Sequence, residues 1–168
     1  MLRDRGDYEE LVSAIRPRSG WDVNDKELFI RMAKQMDVMF LTKDLLFSSR
    51  VTSVAAHLRI ELSVVSDADE LVERASTVPV KVILVDLSLS GLDAAHLVPQ
   101  LRKLTPPPGA IIAFGPHVHG VKLAAARSAG CEVVFSRGEF NSRMDEILID
   151  CLSETDGQVD GPAGLATL

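Results

Sequence analysis

Four short stretches hold side chains that could do chemistry together. "KVILVDLSLSGLD" runs from a strand-like segment into a loop, and Asp86 ends the continuous apolar run Val82, Ile83, Leu84 and Val85. "FLTKDLLF" places Asp44 just after an earlier apolar run, and "VFSRGEF" places Arg137 after a later one. "AIIAFGPHVHG" supplies Gly115 and then His117 and His119. A carboxylate ending a buried strand can be a nucleophile, a metal ligand, or only the polar residue that closes the strand. The H-x-H pair, with Asp86 or Asp44 nearby, could hold a small Zn²⁺ site. Against that use, Pro116 and Gly120 mark an exposed loop, where solvated histidines are common. No G-x-G-x-x-G or P-loop sequence and no G-x-S-x-G elbow is present.

The elements that must position these groups alternate regularly from Met36 onward. Apolar runs predict strands over 37–41, 61–66, 81–86, 110–114 and 132–136. Helical spacing predicts helices over 46–59, 67–77, 91–104, 118–130 and 141–154, with Asp67 capping the second and Gly130 closing the fourth. Pro99 should kink the third helix or loosen its first turns, and "TPPPG" at 105–109 is a rigid connector. Five strands, each followed by a helix, predict an α/β fold: a doubly wound, five-stranded parallel sheet with helices on both faces. Periodicity leaves the strand order open. Such a sheet turns ligand-facing groups outward at the carboxyl ends of its strands, which selects Asp44, Ser66, Asp86, Gly115 and Arg137.

Residues 1–35 read as a helical N-terminal extension, with "DYEELVSAI" and "NDKELFIRMAKQM" as its helices and Asn24 or Asp25 as a cap. They are either an extension that docks on the domain or a partner, or upstream sequence ahead of a true start at Met36. Trp21, the only tryptophan, lies within them. The domain itself spans 36–154. The Gly-rich, polar tail 155–168 reads as disordered.

With the strand ends in this order, the chain resembles a response-regulator receiver domain, the family of the chemotaxis regulator, over about residues 37–153. "VILVDLSLSGLDAAHLVPQLR" is similar to the family's acceptor segment, and "AAARSAGCEVVFSR" to its approach to the fifth strand. The resemblance puts Asp86 at the phosphoacceptor position, with Leu89 and Ser90 in place of Met-Pro, Asp93 kept and Ala94 in place of glycine. It implies Mg²⁺ held by an acidic pair after the first strand, and phosphoryl contacts from a lysine and a Ser/Thr. Here Asp44 remains, flanked by Lys43, but Leu45 stands where the second acid should be, and leucine offers no oxygen to Mg²⁺. Gly115 takes the switch position without a hydroxyl. Arg137 and Gly138 replace Lys-Pro, and a planar guanidinium is no neutral exchange for an ammonium. With these changes Asp86 and Asp44 can instead pair with Arg137, a structural ion pair at the sheet's edge.

Composition agrees with such a domain. The 168 residues are 46% hydrophobic and 5% aromatic, an aliphatic bias suited to strands buried on both faces. A net charge of −6 and a pI near 5.2 give no global field for nucleic acid or an anionic membrane. No apolar run reaches the ~20 residues that span a bilayer, and the polar start "MLRDRGDYEEL" is no signal peptide. Cys131 and Cys151 lack metal-type spacing and read as buried, reduced thiols. His57 and His96 fall on helix surfaces. The expectation is a cytoplasmic, stand-alone, degenerate receiver-like module that is not an enzyme and needs no cofactor. It would signal through protein partners, with specificity or homodimer contacts on its last strand and helix faces. The first alternative is a phosphorelay receiver, using Mg²⁺ and phosphorylated on Asp86 by a histidine kinase. The second is a small metal-dependent enzyme using His117 and His119.

Overall fold

The computed structural model describes residues 35–156; the extension expected over 1–35 and most of the expected tail lie outside them. Five strands form one parallel sheet: β1 (Met36–Leu41), β2 (Leu62–Val65), β3 (Val80–Asp86), β4 (Ala110–Gly115) and β5 (Val133–Ser136). Their order is β2-β1-β3-β4-β5. Register pairs Phe40 with Leu84 and Leu84 with Ile112, so the strand interiors line up across the sheet.

Six helices follow: α1 (Leu45–Leu58), α2 (Ala68–Thr77), α3 (Ala94–Arg102), α4 (Gly120–Ala129), α5 (Arg137–Ser142) and α6 (Met144–Asp156). Successive strand residues point to opposite faces, and both faces here are apolar. Met39, Leu41, Ile83, Val85, Ile111 and Ala113 pack with Leu71 of α2, Leu97 and Leu101 of α3, and Leu123 and Ala126 of α4. Val38, Phe40, Val82, Leu84, Ile112 and Phe114 pack with Phe47 and Val51 of α1, Phe140 of α5, and Ile147 and Leu148 of α6. The second face gathers the aromatic rings. Phe114 and Phe140 stack at 4.5 Å, and Phe47 lies 5.2 Å from Phe114. That cluster later fixes a charged side chain.

Local chemistry sets the helix ends. Asp67 caps α2 by accepting from the Asp69 and Glu70 amides, and Asp93 caps α3 by accepting from the Ala95 amide. The third helix therefore opens at Ala94, after a turn in which Gly91 has φ +77°, and not at Gly91. It continues through Pro99 to Arg102. Gly130 closes α4 in the left-handed conformation. The helix expected over 141–154 is really two. Ser136 caps α5 through the Glu139 amide, so that helix starts directly from β5. Arg143 breaks the run at φ −125°, and α6 then continues to Asp156, two residues into the stretch expected as tail. Burial pushes the Cys131 thiol up to about 11, so it stays protonated. Among the described residues, no helix is long and apolar enough to cross a membrane.

Candidate functional site

In this strand order β1 and β3 are neighbours whose following helices, α1 and α3, cover opposite faces. A doubly wound sheet places its ligand crevice at such a point, outside the carboxyl ends of these strands. Asp86 and Asp44 both lie there.

Asp86 is fully buried. A buried carboxylate is costly unless hydrogen-bonded, and three donors meet this one. Thr42, the first residue after β1, donates its hydroxyl to Asp86 Oδ2 at 2.8 Å. Ser88 donates its amide to Oδ1 at 2.9 Å and its hydroxyl at 2.6 Å. Thr42 is itself buried, and its Oγ1 also accepts from the Asp44 amide at 3.1 Å. One hydroxyl thus ties the two acidic turns together.

Asp44 has a different set of partners. It caps α1, accepting at Oδ1 from the Phe47 amide at 2.9 Å, and its Oδ2 pairs with the Arg137 guanidinium. The Phe47 amide first, and then Arg137, hold its carboxyl below the ordinary value. The Arg137 guanidinium lies 4.4 Å from the centre of the Phe47 ring, a cation–π contact that the aromatic cluster fixes from below. The expected pairing of Arg137 with both acids needs correction. Among the described residues its ion-pair partner is Asp44, while Asp86 is satisfied by hydroxyls and an amide.

Gly115 sits where a side chain would meet packing. A Cβ built there would lie 3.1 Å from Leu87 Cβ and 3.6 Å from Leu123 Cδ2. Buried Leu87 thus packs tightly against the switch position. Lys122 of α4 donates to the carbonyls of Leu87 and Leu89 at 3.1 and 3.3 Å, fastening the loop after Asp86 to the neighbouring helix. Thr42, Ser88, Leu87 and Lys122 escape a reading of the sequence. Hydroxyls and leucines carry no signature, and the reach of Lys122 depends on which helix flanks β3. Their one legible mark is position, since Thr42 follows β1 directly and Ser88 stands two residues beyond Asp86.

The other expected residues disperse. Ser66 is exposed at the end of β2, the edge strand beyond β1. Leu45 and Lys43 are exposed, and Asp93 is the cap of α3. His117 and His119 are exposed in the turn before α4. Among the described residues no three His, Cys, Asp or Glu side chains gather as a metal cage, so the pair finds neither Asp86 nor Asp44 as a third ligand. The residues at the crevice do not fit Mg²⁺ either. That ion asks for several free oxygens in near-octahedral array. Here Asp44 is taken by a guanidinium, Asp86 by three donors, and two carbonyls of the loop by an ammonium.

No protein-family model matches the chain, and no curated protein matches it. Solved structures do. The receiver domain of a sensor histidine kinase from Pseudomonas aeruginosa, which holds magnesium in its active-site cleft, superposes with a TM-score of 0.60 at 18% identity, covering 70% of this chain and 98% of that one. The fold is that of a response-regulator receiver domain. A CheY-like receiver domain protein from Methanospirillum hungatei gives 0.57 at 14% identity, over 71% and 98% of the two chains. NtrX from Brucella abortus gives 0.63 at 15% identity, over 73% of this chain but 28% of that longer one. On the receiver fold, Asp86 occupies the carboxyl end of the central strand, between β1 and β4.

Proposed function

We propose that this chain is a cytoplasmic signalling module on the receiver fold, one that acts by contact with a protein partner and not as an enzyme. In this reading it does not use Mg²⁺-dependent phosphorylation of Asp86. The observation that carries it is the closed hydrogen-bond set around Asp86. A phosphoacceptor needs a carboxylate oxygen open to the incoming phosphorus and cations to offset its charge, whereas Asp86 is fully buried. Both Asp86 oxygens accept hydrogen bonds, and Arg137 is committed to Asp44 and the Phe47 ring. Leu87 against Gly115 supports the same reading, because a Cβ added there would lie 3.1 Å from Leu87 Cβ and Leu87 would have to give by a few tenths of an ångström.

Incubation with acetyl phosphate and Mg²⁺, followed by intact mass measurement, tests this. The expected result is an unmodified chain. A stoichiometric mass gain that vanishes in Asp86→Asn would instead establish the phosphorelay reading, with a histidine kinase or phosphotransfer protein as the donor. Asp86 favours that second reading by its place alone, at the end of the central strand.

A further inference from the structure

On the aromatic face of the sheet α1 and α6 lie side by side and leave an open groove of about 520 Å³. Arg50, Val54, His57 and Leu58 of α1 line one wall, and Met144 and Asp145 of α6 line the other. The floor is apolar: Met144 is buried, and Val54 and Leu58 pack onto the core beneath. Two exposed apolar side chains lengthen the walls. Leu46 (88% exposed) precedes Arg50 by four residues, and Ile149 (47%) follows Asp145 by four. That spacing puts each on the same side of its helix as the groove residue. Apolar surface left open between polar rims marks contact with another molecule.

The two walls differ in sign. α1 contains no Asp or Glu, and its groove side carries Arg50 and His57. α6 contains no Lys or Arg, and its groove side carries Asp145. None of these three side chains has an ion pair or a hydrogen bond among the described residues. The groove therefore holds opposite charges apart, each without a partner. The neighbouring acid Glu146 is already paired with Arg143 at 2.9 Å, so Asp145 is the acid that the groove presents. An apolar floor between a basic wall and an acidic wall is complementary to itself.

We infer that this face pairs with the same face of a second copy of the chain, α1 of each lying against α6 of the other. A twofold axis along the groove exchanges its two walls. Arg50 and Asp145 line the same groove, so each Arg50 then meets the Asp145 of the second copy. Val54, Leu58 and Met144 of both chains close over one another as the centre of a four-helix arrangement. A twofold axis across the groove would instead set Arg50 near Arg50, which like charge disfavours. A partner of one sign would leave one wall uncompensated. The inference rests on the contact function proposed above and names its partner and its place.

Sedimentation velocity of the full chain over a wide range of concentration tests this. The expected result is a monomer–dimer equilibrium that added salt weakens. Arg50→Glu alone and Asp145→Lys alone each put two like-charge contacts into the dimer, and each should weaken it about tenfold. An equal mixture of the two variants should restore it, because in the mixed pair both contacts again join opposite charges. That recovery separates a contact between chains from an effect within one, since mixing alters neither chain. Arg50→Gln and Asp145→Asn provide the same test should a reversal fail to fold. Each should weaken the dimer by a smaller factor, and no loss in either would overturn the inference. A monomer at every concentration, an assembly indifferent to both reversals, or a mixture that stays monomeric overturns it as well. The acetyl phosphate assay reads Asp86 alone. A monomer that stays unmodified in that assay would remove the second copy as partner and leave the signalling reading standing.

Discussion

The two ends of the sheet are stitched by the same device. At the amino end Arg102 pairs with Glu132 and donates to the carbonyls of Pro108 and Gly130, while Glu132 accepts from the Ile111 amide at 2.6 Å. Asp37 likewise joins β1 to its neighbours, accepting from the Glu61 amide at 3.0 Å and pairing with Lys81 at 3.3 Å. At the carboxyl end Arg137 pairs with Asp44, and Asp44 caps α1. An arginine–carboxylate pair that satisfies loose backbone groups is thus ordinary construction in this fold, and its presence beside the crevice is no sign of chemistry. What sets the carboxyl end apart is Asp86, a fully buried acid without a cation partner among the described residues. The amino end has no counterpart to it among the described residues.

That contrast breaks first at Thr42. Thr42→Val keeps the shape but removes the hydroxyl that donates to Asp86 Oδ2 and accepts from the Asp44 amide. A hydrogen bond to a buried charged group contributes about 1.5–3 kcal/mol, and its loss leaves the acceptor unsatisfied. The urea midpoint should fall by a corresponding amount. Thr42→Ser, which retains the hydroxyl, should recover most of it. A Thr42→Val chain that melts at the wild-type midpoint would show that Asp86 does not depend on this donor.

The fold was legible because its strands are buried on both faces. "VILV" and "AIIAF" are continuous apolar runs, and the caps Asp67 and Gly130 act where their residue types predict. Strand order was not, since nothing in Val38 or Val82 says that they are neighbours. Helix α5 was hidden by its length, because six residues carry no helical period and its one signal is Ser136 three residues before Glu139. The crevice was half legible. Asp44 and Asp86 could be placed by position, but the choice of Arg137 between them turned on the Phe47 ring, which draws the guanidinium over α1. The hydroxyls of Thr42 and Ser88 became visible only once β1 and β3 lay side by side.

The two arginine stitches sharpen the comparison at a smaller scale. Arg102→Ala removes an ion pair and two bonds to carbonyl oxygens, and should cost about 1–2 kcal/mol. Arg137→Ala removes a similarly exposed pair and a ring contact but no bonds to carbonyl oxygens, for about 0.5–1 kcal/mol. The amino end should therefore prove the stiffer seam in parallel urea melts. The reverse order would mean that Arg137 also compensates Asp86 through the field, and the separation drawn between the two acids would fail.

The smallest effect is the pH dependence that Asp44 contributes. In the folded chain its carboxyl is held below the ordinary 3.8, first by the Phe47 amide and then by Arg137. The unfolded chain thus binds this proton at a higher pH than the folded chain does. Stability from this group is complete above the unfolded value and is lost as pH falls through the folded one. Asp44→Asn keeps an oxygen for the Phe47 amide but cannot titrate, so it should lower the urea midpoint slightly at neutral pH. Below about pH 4 the wild-type midpoint should fall toward that of the variant, and the two curves should converge. Arg102→Ala, measured alongside, should stay separated from wild type through this window in whatever part comes from its carbonyl bonds, which do not titrate. Parallel wild-type and Asp44→Asn curves down to the acid limit would show that the carboxyl is not held low, and that the Arg137 contact is too solvated to matter.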